Sequence, residues 1–289
     1  MKKIPIKKPS VAKDLPQSKI KGIKNFSLGG FEKNPFQEVS KVKNYNTHKI
    51  MPKNNMAIIG YTGLIGSNLL DQYKKKFNKI DLFNSKNINK INNKKEYNIV
   101  FCAGLPAAKW LANKAPIKDK KNTQKLIRNL KRINTKKFLL ISTIDVHYKH
   151  TYGYNRKYLE KFVQNRFKNN YIIRLPGVFG KGLKKNIIFD LLNENAIDQI
   201  YLNDKFQWYD LAYLKRDISR IFKNNQLGIN ELYSTPIRNS EIINLFKKIK
   251  IDKKKIKPIN YSIKPKEGFY KNKKYILSRI KKLIRFNEK

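Results

Sequence analysis

Cysteine, histidine and acidic residues are all scarce in this 289-residue chain. The single cysteine, Cys102, excludes a disulfide framework and a cysteine-based zinc cluster. Three histidines are too few and too badly placed for a His-rich site, so we expect no metal. No run approaches the roughly 20 apolar residues of a membrane helix, and the first residues lack the apolar segment of a secretory signal. We therefore expect a cytoplasmic protein that does not contact membranes.

The charge is strongly one-sided: 65 Lys and Arg against 20 Asp and Glu give a net charge of +45. Such an excess suggests nucleic-acid binding, yet only 10 of the 65 basic residues are Arg. Arg is the residue that pairs bidentately with phosphate, whereas an excess of Lys, Asn and Ile is also typical of an A/T-rich genome. The charge therefore predicts non-specific association with polyanions at low salt, and a dedicated RNA-binding role stays an alternative.

Hydrophobic residues make up 40% of the chain, and 16 Tyr and 16 Phe add bulk for a core, which excludes wholesale disorder. Residues 1–54 differ from the rest because they carry scattered lysines and prolines without a persistent apolar period. We interpret them as a basic, largely extended arm. Both a simple leader and an arm that binds a partner fit this composition.

From residue 55 onward, short apolar segments alternate with helical ones. Strands are predicted at 55–60, 79–84, 97–103, 137–142 and 171–175, and helices after the first strand, at 119–133 and at 153–168. Near-continuous apolar strands between helices predict a parallel sheet covered on both faces, here over residues 55–176. Residues 177–289 are less regular and are interpreted as a smaller lobe, with helices near 186–195, 213–223, 239–249 and 275–286 and a solvated connector at 250–257.

Three evenly spaced glycines, Gly60, Gly63 and Gly66, follow the first strand and open a helix. Gly60 suits a tight turn, Gly63 allows a pyrophosphate to approach the backbone, and Gly66 allows close packing of helix on strand. The amides of the helix N-terminus would face the phosphates. The turn predicts a dinucleotide site that also includes Thr62, Leu64 and Ile65; the alternative is a tight turn in a Rossmann-like fold without a ligand.

Three later stretches follow the glycine turn in a characteristic order: Ile141–Val146, Tyr152–Glu160 and Arg174–Gly180. With the GxxGxxG spacing of the turn, they resemble the extended short-chain dehydrogenase/reductases of the sugar-nucleotide epimerase/dehydratase type, over residues 55–240. Residues 84–87 and 102–110 resemble a less-characterised branch of that family. The resemblance implies an α/β fold, a Rossmann-type doubly wound parallel sheet with a smaller C-terminal substrate lobe, and NAD or NADP as cofactor.

The resemblance also implies a set of catalytic residues. Tyr152 takes the place of the general acid/base, and Thr143 that of the hydroxyl that orders the same substrate oxygen. Arg156 stands where the family has a lysine that holds the nicotinamide ribose and lowers the pKa of the tyrosine. An arginine supplies a fixed positive charge but cannot lose its proton. The loop from Thr143 to Tyr152 is shorter than usual in the family. If the motif is aligned two residues later, Tyr154 takes the role of general acid/base in place of Tyr152.

The remaining site residues follow from the same resemblance. Ser85, Ala103, Gly104 and Arg156 are expected at the cofactor, and Asp145, Lys184 and Lys185 at the substrate. Dehydratases of the family carry an Asp-Glu pair after the catalytic Thr, and here the pair is Ile144-Asp145. An epimerase or ketoreductase is therefore expected before a dehydratase.

The choice between NAD and NADP depends on the end of the second strand. An NAD enzyme places a carboxylate there, but this strand ends in Asn84 and Ser85, and Asp81 lies too early. Lys86 could accept a 2′-phosphate, so both cofactors stay open.

These observations predict an NAD(P)-dependent epimerase or ketoreductase that acts on a nucleotide-linked sugar. The alternative is a catalytically silent Rossmann scaffold that binds polyanions or RNA, favoured by Arg156, the short loop and the basic arm. By analogy with the family, a homodimer through the helices that flank Tyr152 is expected.

Overall fold

A computed structural model describes residues 55–91, 95–246, 249, 251 and 257–287. The predicted arm over residues 1–54 and most of the predicted connector over 250–257 lie outside the described residues.

The described residues form short strands and eight helices. In chain order the strands are β1 (Asn55–Ile59), β2 (Lys79–Phe83), β3 (Glu96–Tyr97), β4 (Ile99–Cys102), β5 (Asn134–Thr135), β6 (Phe138–Thr143), β7 (Asn170–Leu175), β8 (Gly177–Phe179), β9 (Lys205–Phe206), β10 (Trp208–Asp210), β11 (Gly228–Glu231), β12 (Ile237–Arg238) and β13 (Asn260–Tyr261). The helices are α1 (Leu64–Tyr73), α2 (Lys109–Lys114), α3 (Pro116–Leu130), α4 (Thr151–Arg166), α5 (Ile187–Leu192), α6 (Leu214–Lys223), α7 (Asn239–Ile243) and α8 (Lys273–Asn287).

Six strands form one central sheet in the order β11-β7-β6-β4-β1-β2. All five neighbouring pairs are parallel. The chain leaves β1 toward β2 on one side and then crosses to β4 on the other, so the direction of winding reverses between β1 and β4. Open sheets of this kind bind ligands at the carboxyl ends of the strands next to such a reversal. The predicted Rossmann-type parallel sheet is confirmed.

Apolar side chains cover both faces of the sheet because neighbouring residues of a strand point to opposite sides. In β1, Ile58 packs into the core shared with α1 and α6, while Ala57 packs into the core shared with α3 and α4. Both side chains are fully buried. Burial on two faces explains why these strands are apolar at nearly every position.

The part of the chain past residue 176 contributes to two structures. A separate apolar core forms around Trp208 and includes residues of α5, α7 and α8. In contrast, β11 joins the edge of the central sheet beside β7, and α6 packs into its core. The sequence pattern did not indicate β11, because its four residues, Gly-Ile-Asn-Glu, form a partly exposed edge strand without an apolar run.

Candidate active site

The glycine turn brings two backbone segments into very close contact. Gly60 adopts φ +85°, and a Cβ atom there would lie 2.3 Å from the carbonyl oxygen of Ala103. A Cβ atom on Gly66 would lie 2.0 Å from the carbonyl oxygen of Gly60. Only glycine fits at both positions. The turn therefore places the start of α1 directly at the carboxyl ends of β1 and β4.

The first turn of α1 offers backbone donors. Its N-cap residue, Gly63, is extended and supplies no side-chain cap. The first amides of a helix have no partner within the helix, so those of Leu64 and Ile65 are available to an anion. Thr62 and Gly63 are exposed beside them. These features fit a phosphate group at this helix end.

A basic loop after β8 lies against the same end of α1. The Asn68 amide donates to the carbonyl oxygen of Lys181 (2.9 Å), and Lys181 Nζ pairs with Asp71 Oδ2 (3.0 Å). The loop continues to the exposed Lys184 and to Lys185, whose Nζ donates to the carbonyl oxygen of Ala107 (3.1 Å). Lys185 thus connects this loop to the segment after β4, and partial burial lowers its pKa.

The end of β2 contains no carboxylate that could reach a ribose. Asp81 lies within the strand, where Tyr97 donates to its Oδ2 (2.7 Å) and Lys95 forms an ion pair with it. Burial opposes ionisation, but these two partners lower the pKa of Asp81. Ser85 and Lys86 are exposed past the strand end. The arrangement leaves the choice between NAD and NADP as open as the sequence did.

Asp145 is the centre of a polar cluster at the carboxyl end of β6. It lies in the one-turn 3₁₀ helix after Thr143 and is only 8% exposed. Four donors from different segments surround its carboxylate: Thr143 Oγ1 (2.7 Å to Oδ2), Tyr261 OH, Lys109 Nζ (3.2 Å to Oδ1) and His150 Nε2 (3.3 Å to Oδ1). Burial favours the neutral acid, but the donors outweigh it and hold the pKa of Asp145 far below its usual value.

Three members of this cluster, Lys109, His150 and Tyr261, were missed as site residues. Lys109 begins α2, inside the 102–110 stretch that the sequence analysis singled out as a whole. Tyr261 belongs to β13 and contacts Asp145 across 116 positions of sequence. No local motif marks Tyr261, because tertiary packing alone brings it to the site.

Tyr152 lies in the first turn of α4, on the same sheet edge. The helix is capped by His150, whose Nδ1 accepts from the amide of Gly153 (3.0 Å). Tyr152 is 7% exposed, and burial raises its pKa to about 12, while the nearby Arg156 charge acts in the opposite direction. Tyr154, the substitute from the sequence analysis, is 56% exposed.

Arg156 stacks on the Tyr152 ring, with its guanidinium carbon 4.1 Å from the ring centroid. It also forms a buried ion pair with Asp119 of α3: Nη1 lies 2.9 Å from Oδ2, and Nη2 lies 3.3 Å from Oδ1. Nη2 donates in addition to the carbonyl oxygen of Pro106 (2.7 Å). The arginine is therefore close to Tyr152, but its donors are largely engaged within the protein.

This chain is similar to known proteins in its three-dimensional structure. The sequence matches no protein-family model and no curated protein. The structure is similar to dTDP-4-dehydrorhamnose reductase from Yersinia enterocolitica, with a TM-score of 0.60, 14% identity and coverage of 81% of this chain and 99% of that one. It is also similar to UDP-N-acetylglucosamine 4-epimerase from Methanobrevibacter ruminantium M1, with a TM-score of 0.58, 14% identity and coverage of 81% and 98%.

A third similar structure is an NAD-dependent NDP-hexosamine 5,6-dehydratase of tunicamycin biosynthesis, with a TM-score of 0.63, 11% identity and coverage of 81% of this chain and 96% of that one. At these identities the comparisons establish the fold: this chain is built like the sugar-nucleotide reductases, epimerases and dehydratases.

Two further findings concern the described part of the chain. None of its helices combines the length and apolar character needed to cross a membrane. No three of its His, Cys, Asp or Glu side chains form a group suited to a metal ion.

Proposed function

We propose that this protein is an NAD(P)-dependent epimerase or ketoreductase that acts on a nucleotide-linked sugar. The proposal rests on one observation: the glycine turn and the predicted catalytic residues lie on the same edge of the sheet. The glycine turn over 60–66 lies where the winding reverses, and Thr143 and Tyr152 lie two strands away at the end of β6 and the start of α4. Ligand sites of this fold lie along that edge.

The residues of the edge fit a nicotinamide dinucleotide. The amides of Leu64 and Ile65 would hold the pyrophosphate, with Ser85 at the adenosine end and Ala103 and Gly104 toward the nicotinamide. When bound, the cofactor supplies hydride transfer. One similar structure, from Pseudomonas aeruginosa, is complexed with NADPH, and another is NAD-dependent. Both cofactors therefore stay within the proposal.

Residues of the chain itself transfer the proton and position the reacting oxygen. Tyr152 gives or takes the proton of the reacting substrate oxygen, and the adjacent Arg156 charge favours its ionised form. Thr143 positions that oxygen. Its hydroxyl donates to Asp145 Oδ2, so it keeps a lone pair to accept from a substrate hydroxyl. Asp145 is a lone carboxylate at this position, which supports an epimerase or ketoreductase over a dehydratase.

The second candidate is a catalytically silent scaffold, possessing the nucleotide fold but no turnover. Two observations favour it: the donors of Arg156 are largely taken by Asp119 and Pro106, and the pKa of Tyr152 is raised to about 12. In this case the basic arm over residues 1–54 would carry polyanion binding. Deleting residues 1–54 and measuring salt-dependent RNA retention tests that role, and unchanged retention would place any RNA contact in the folded body.

A homodimer through the surface of α2, α3 and α4 is part of the proposal. Five large apolar side chains are exposed there: Trp110, Leu111, Ile117, Tyr154 and Tyr158. Large apolar side chains exposed on neighbouring helices are a feature of surfaces that associate with another protein. Light scattering on the wild type and on Ile117→Glu tests it: a dimer that becomes a monomer is expected, and a wild-type monomer would contradict it. A cytoplasmic location belongs to the same proposal.

Native mass spectrometry of the purified full-length chain, with and without added NADH or NADPH, is the first test of function. A bound dinucleotide, followed by hydride transfer to or from a 4-keto or 4-hydroxy nucleotide sugar, is the expected result. Binding without turnover across a panel of UDP- and dTDP-sugars would favour the scaffold. Absence of dinucleotide binding would exclude both the enzyme and the cofactor assignment.

A further inference from the structure

Lys109 and Asp145 place a hydrogen-bond donor and an acceptor side by side at the carboxyl end of the sheet. Lys109 Nζ lies 3.2 Å from Asp145 Oδ1, and the two side chains are 32% and 12% exposed. We propose that this pair binds a vicinal diol, either on the ribose of the cofactor or on the sugar of the substrate. The inference builds on the proposed function and assigns a sugar-binding role to Lys109.

The two cations beside the predicted catalytic residues differ in how easily a ligand can reach them. Arg156 is 6% exposed and is held by Asp119 and Pro106. Lys109, in contrast, is partly exposed and carries its ammonium on a flexible four-carbon stem. Of these two cations beside the predicted catalytic residues, Lys109 is therefore the one whose charged group a ligand can reach.

The Asp145 carboxylate leaves room for a hydroxyl beside Lys109. Asp145 Oδ1 has three donors around it, and those from Lys109 (3.2 Å) and His150 (3.3 Å) are longer than the 2.7 Å bond from Thr143 to Oδ2. A sugar hydroxyl can enter between Lys109 and Asp145, accept from the ammonium and donate to the carboxylate. Neither charge then loses its partner, which avoids the cost of leaving a buried charge unpaired.

Tyr148 supplies a further hydroxyl next to this pair. The Tyr148 ring stacks on the Tyr261 ring at 4.0 Å, and Lys109 Nζ lies 3.9 Å from the centroid of the Tyr261 ring. The Tyr148 OH is buried and has no hydrogen-bond partner among the described residues. Burial and the Asp145 charge raise its pKa to about 12, so it is a neutral donor. The Asp145 charge acts on this hydroxyl, so we take it as the donor to the second hydroxyl of the diol, which a small movement of the Tyr148 ring would expose.

The test compares matched pairs of probes on the full-length protein by isothermal titration calorimetry. NADH and NADPH carry a nicotinamide ribose that ADP lacks, and UDP-glucose carries a hexose that UDP lacks. The variants are Lys109→Met, which removes the donor, and Lys109→Arg, which keeps one. Lys114→Met, on the exposed end of the same helix, is the matched control.

Loss of a hydrogen bond to a charged group should weaken binding roughly 10- to 100-fold in Lys109→Met. If Lys109→Met loses affinity for NADH or NADPH but binds ADP like the wild type, the diol belongs to the cofactor. If it loses affinity for UDP-glucose but binds UDP like the wild type, the diol belongs to the substrate. Lys109→Arg should restore most of the affinity, and Lys114→Met should match the wild type. Melting temperatures measured in parallel separate these effects from a loss of folding.

Equal affinity of wild type and Lys109→Met for every probe would overturn the inference while leaving the proposed function intact. Binding of UDP-glucose that depends on Lys109, without binding of NADH or NADPH, would overturn the proposed function and keep the diol site. A wild type that binds none of the probes would overturn both.

Discussion

Arg156 and Asp119 form an ion pair in the interior between α3 and α4, and both residues are nearly fully buried, at 6% and 5% exposed. Asn155 donates to the same carboxylate from the neighbouring position (2.7 Å). The Arg156 guanidinium carbon lies 4.1 Å from the centroid of the Tyr152 ring. The contact holds the second turn of α4 against the first turn of α3, so the position of Tyr152 depends on it.

Arg156→Met should destabilise the protein by about 3–5 kcal/mol, because it leaves the Asp119 carboxylate buried without its cation. Arg156→Lys should cost less, since a lysine keeps the charge but cannot form both bonds to the carboxylate. Urea denaturation measures both. If both variants lose a similar amount of unfolding free energy, the geometry of the pair matters more than its charge. If Arg156→Met loses less than about 1 kcal/mol, the pair does not behave as a buried ion pair.

Tyr152→Phe should lower kcat about 10²- to 10⁴-fold with little change in KM, since it removes only the proton-transferring hydroxyl. Tyr154→Phe is the matched control on the same helix and should keep wild-type kcat, because Tyr154 is 56% exposed. Turnover is measured as NAD(P)H absorbance at 340 nm for a ketoreductase, and as conversion of the sugar to its epimer for an epimerase, which regenerates its cofactor in every cycle. The reverse pattern would move the acid/base to Tyr154.

The extent to which sequence predicted this structure depends on how local each feature is. Gly60 and Gly66 could be predicted because the turn has no room for a Cβ atom at either position, so only glycine can stand there. Thr143 and Tyr152 could be located because each belongs to a short local motif, at the end of β6 and in the first turn of α4. Lys109 and Tyr261 could not, because both reach Asp145 only after the chain has folded.

The same reasoning explains the secondary structure. The apolar strands β1, β4, β6 and β7 were predicted to within a few residues because both of their faces are buried. The helix predicted at 119–133 begins earlier than predicted: α3 starts at Pro116, and a proline suits the first turn of a helix. The edge strand β11 lacked a period long enough to detect. The helix predicted near 239–249 is present but shorter than predicted, since α7 ends at Ile243.

Gly63→Ala and Gly66→Ala should separate folding from cofactor binding. A Cβ at position 63 would lie 3.4 Å from the carbonyl oxygen of Gly60, so the fold should tolerate it while the methyl group obstructs a phosphate. A Cβ at position 66 would lie 2.0 Å from the same oxygen and should cost about 3 kcal/mol or more. Thermal unfolding and NADH titration test the pair. Full NADH affinity in Gly63→Ala would remove the turn from the cofactor site.

Asp145 should make stability depend on acid pH. Its pKa is lowered in the folded state, so its stabilising contribution is present above the unfolded value of about 3.9 and is lost as the pH falls below it. Asp145→Asn should therefore be less stable than the wild type at pH 7, and the difference should shrink toward pH 2. Urea denaturation at both pH values measures this, with the exposed Glu267→Gln as control. A difference that does not change with pH would show that shape, not charge, stabilises the cluster.

Tyr148→Phe and Tyr261→Phe should have opposite effects on stability although their rings stack on each other. Tyr261 donates to the buried Asp145 carboxylate, so removing its hydroxyl should cost about 1.5–3 kcal/mol. The Tyr148 hydroxyl is buried without a partner among the described residues, so removing it should leave stability unchanged or raise it by about 1 kcal/mol.

The same Tyr148→Phe change should weaken binding of the diol ligand, because it takes away a donor that only the ligand satisfies. Chemical denaturation without ligand and titration with NADH and UDP-glucose separate the two effects. If Tyr148→Phe were as costly as Tyr261→Phe in the unliganded protein, the hydroxyl would already have a partner in solution and would have no bond to offer a sugar.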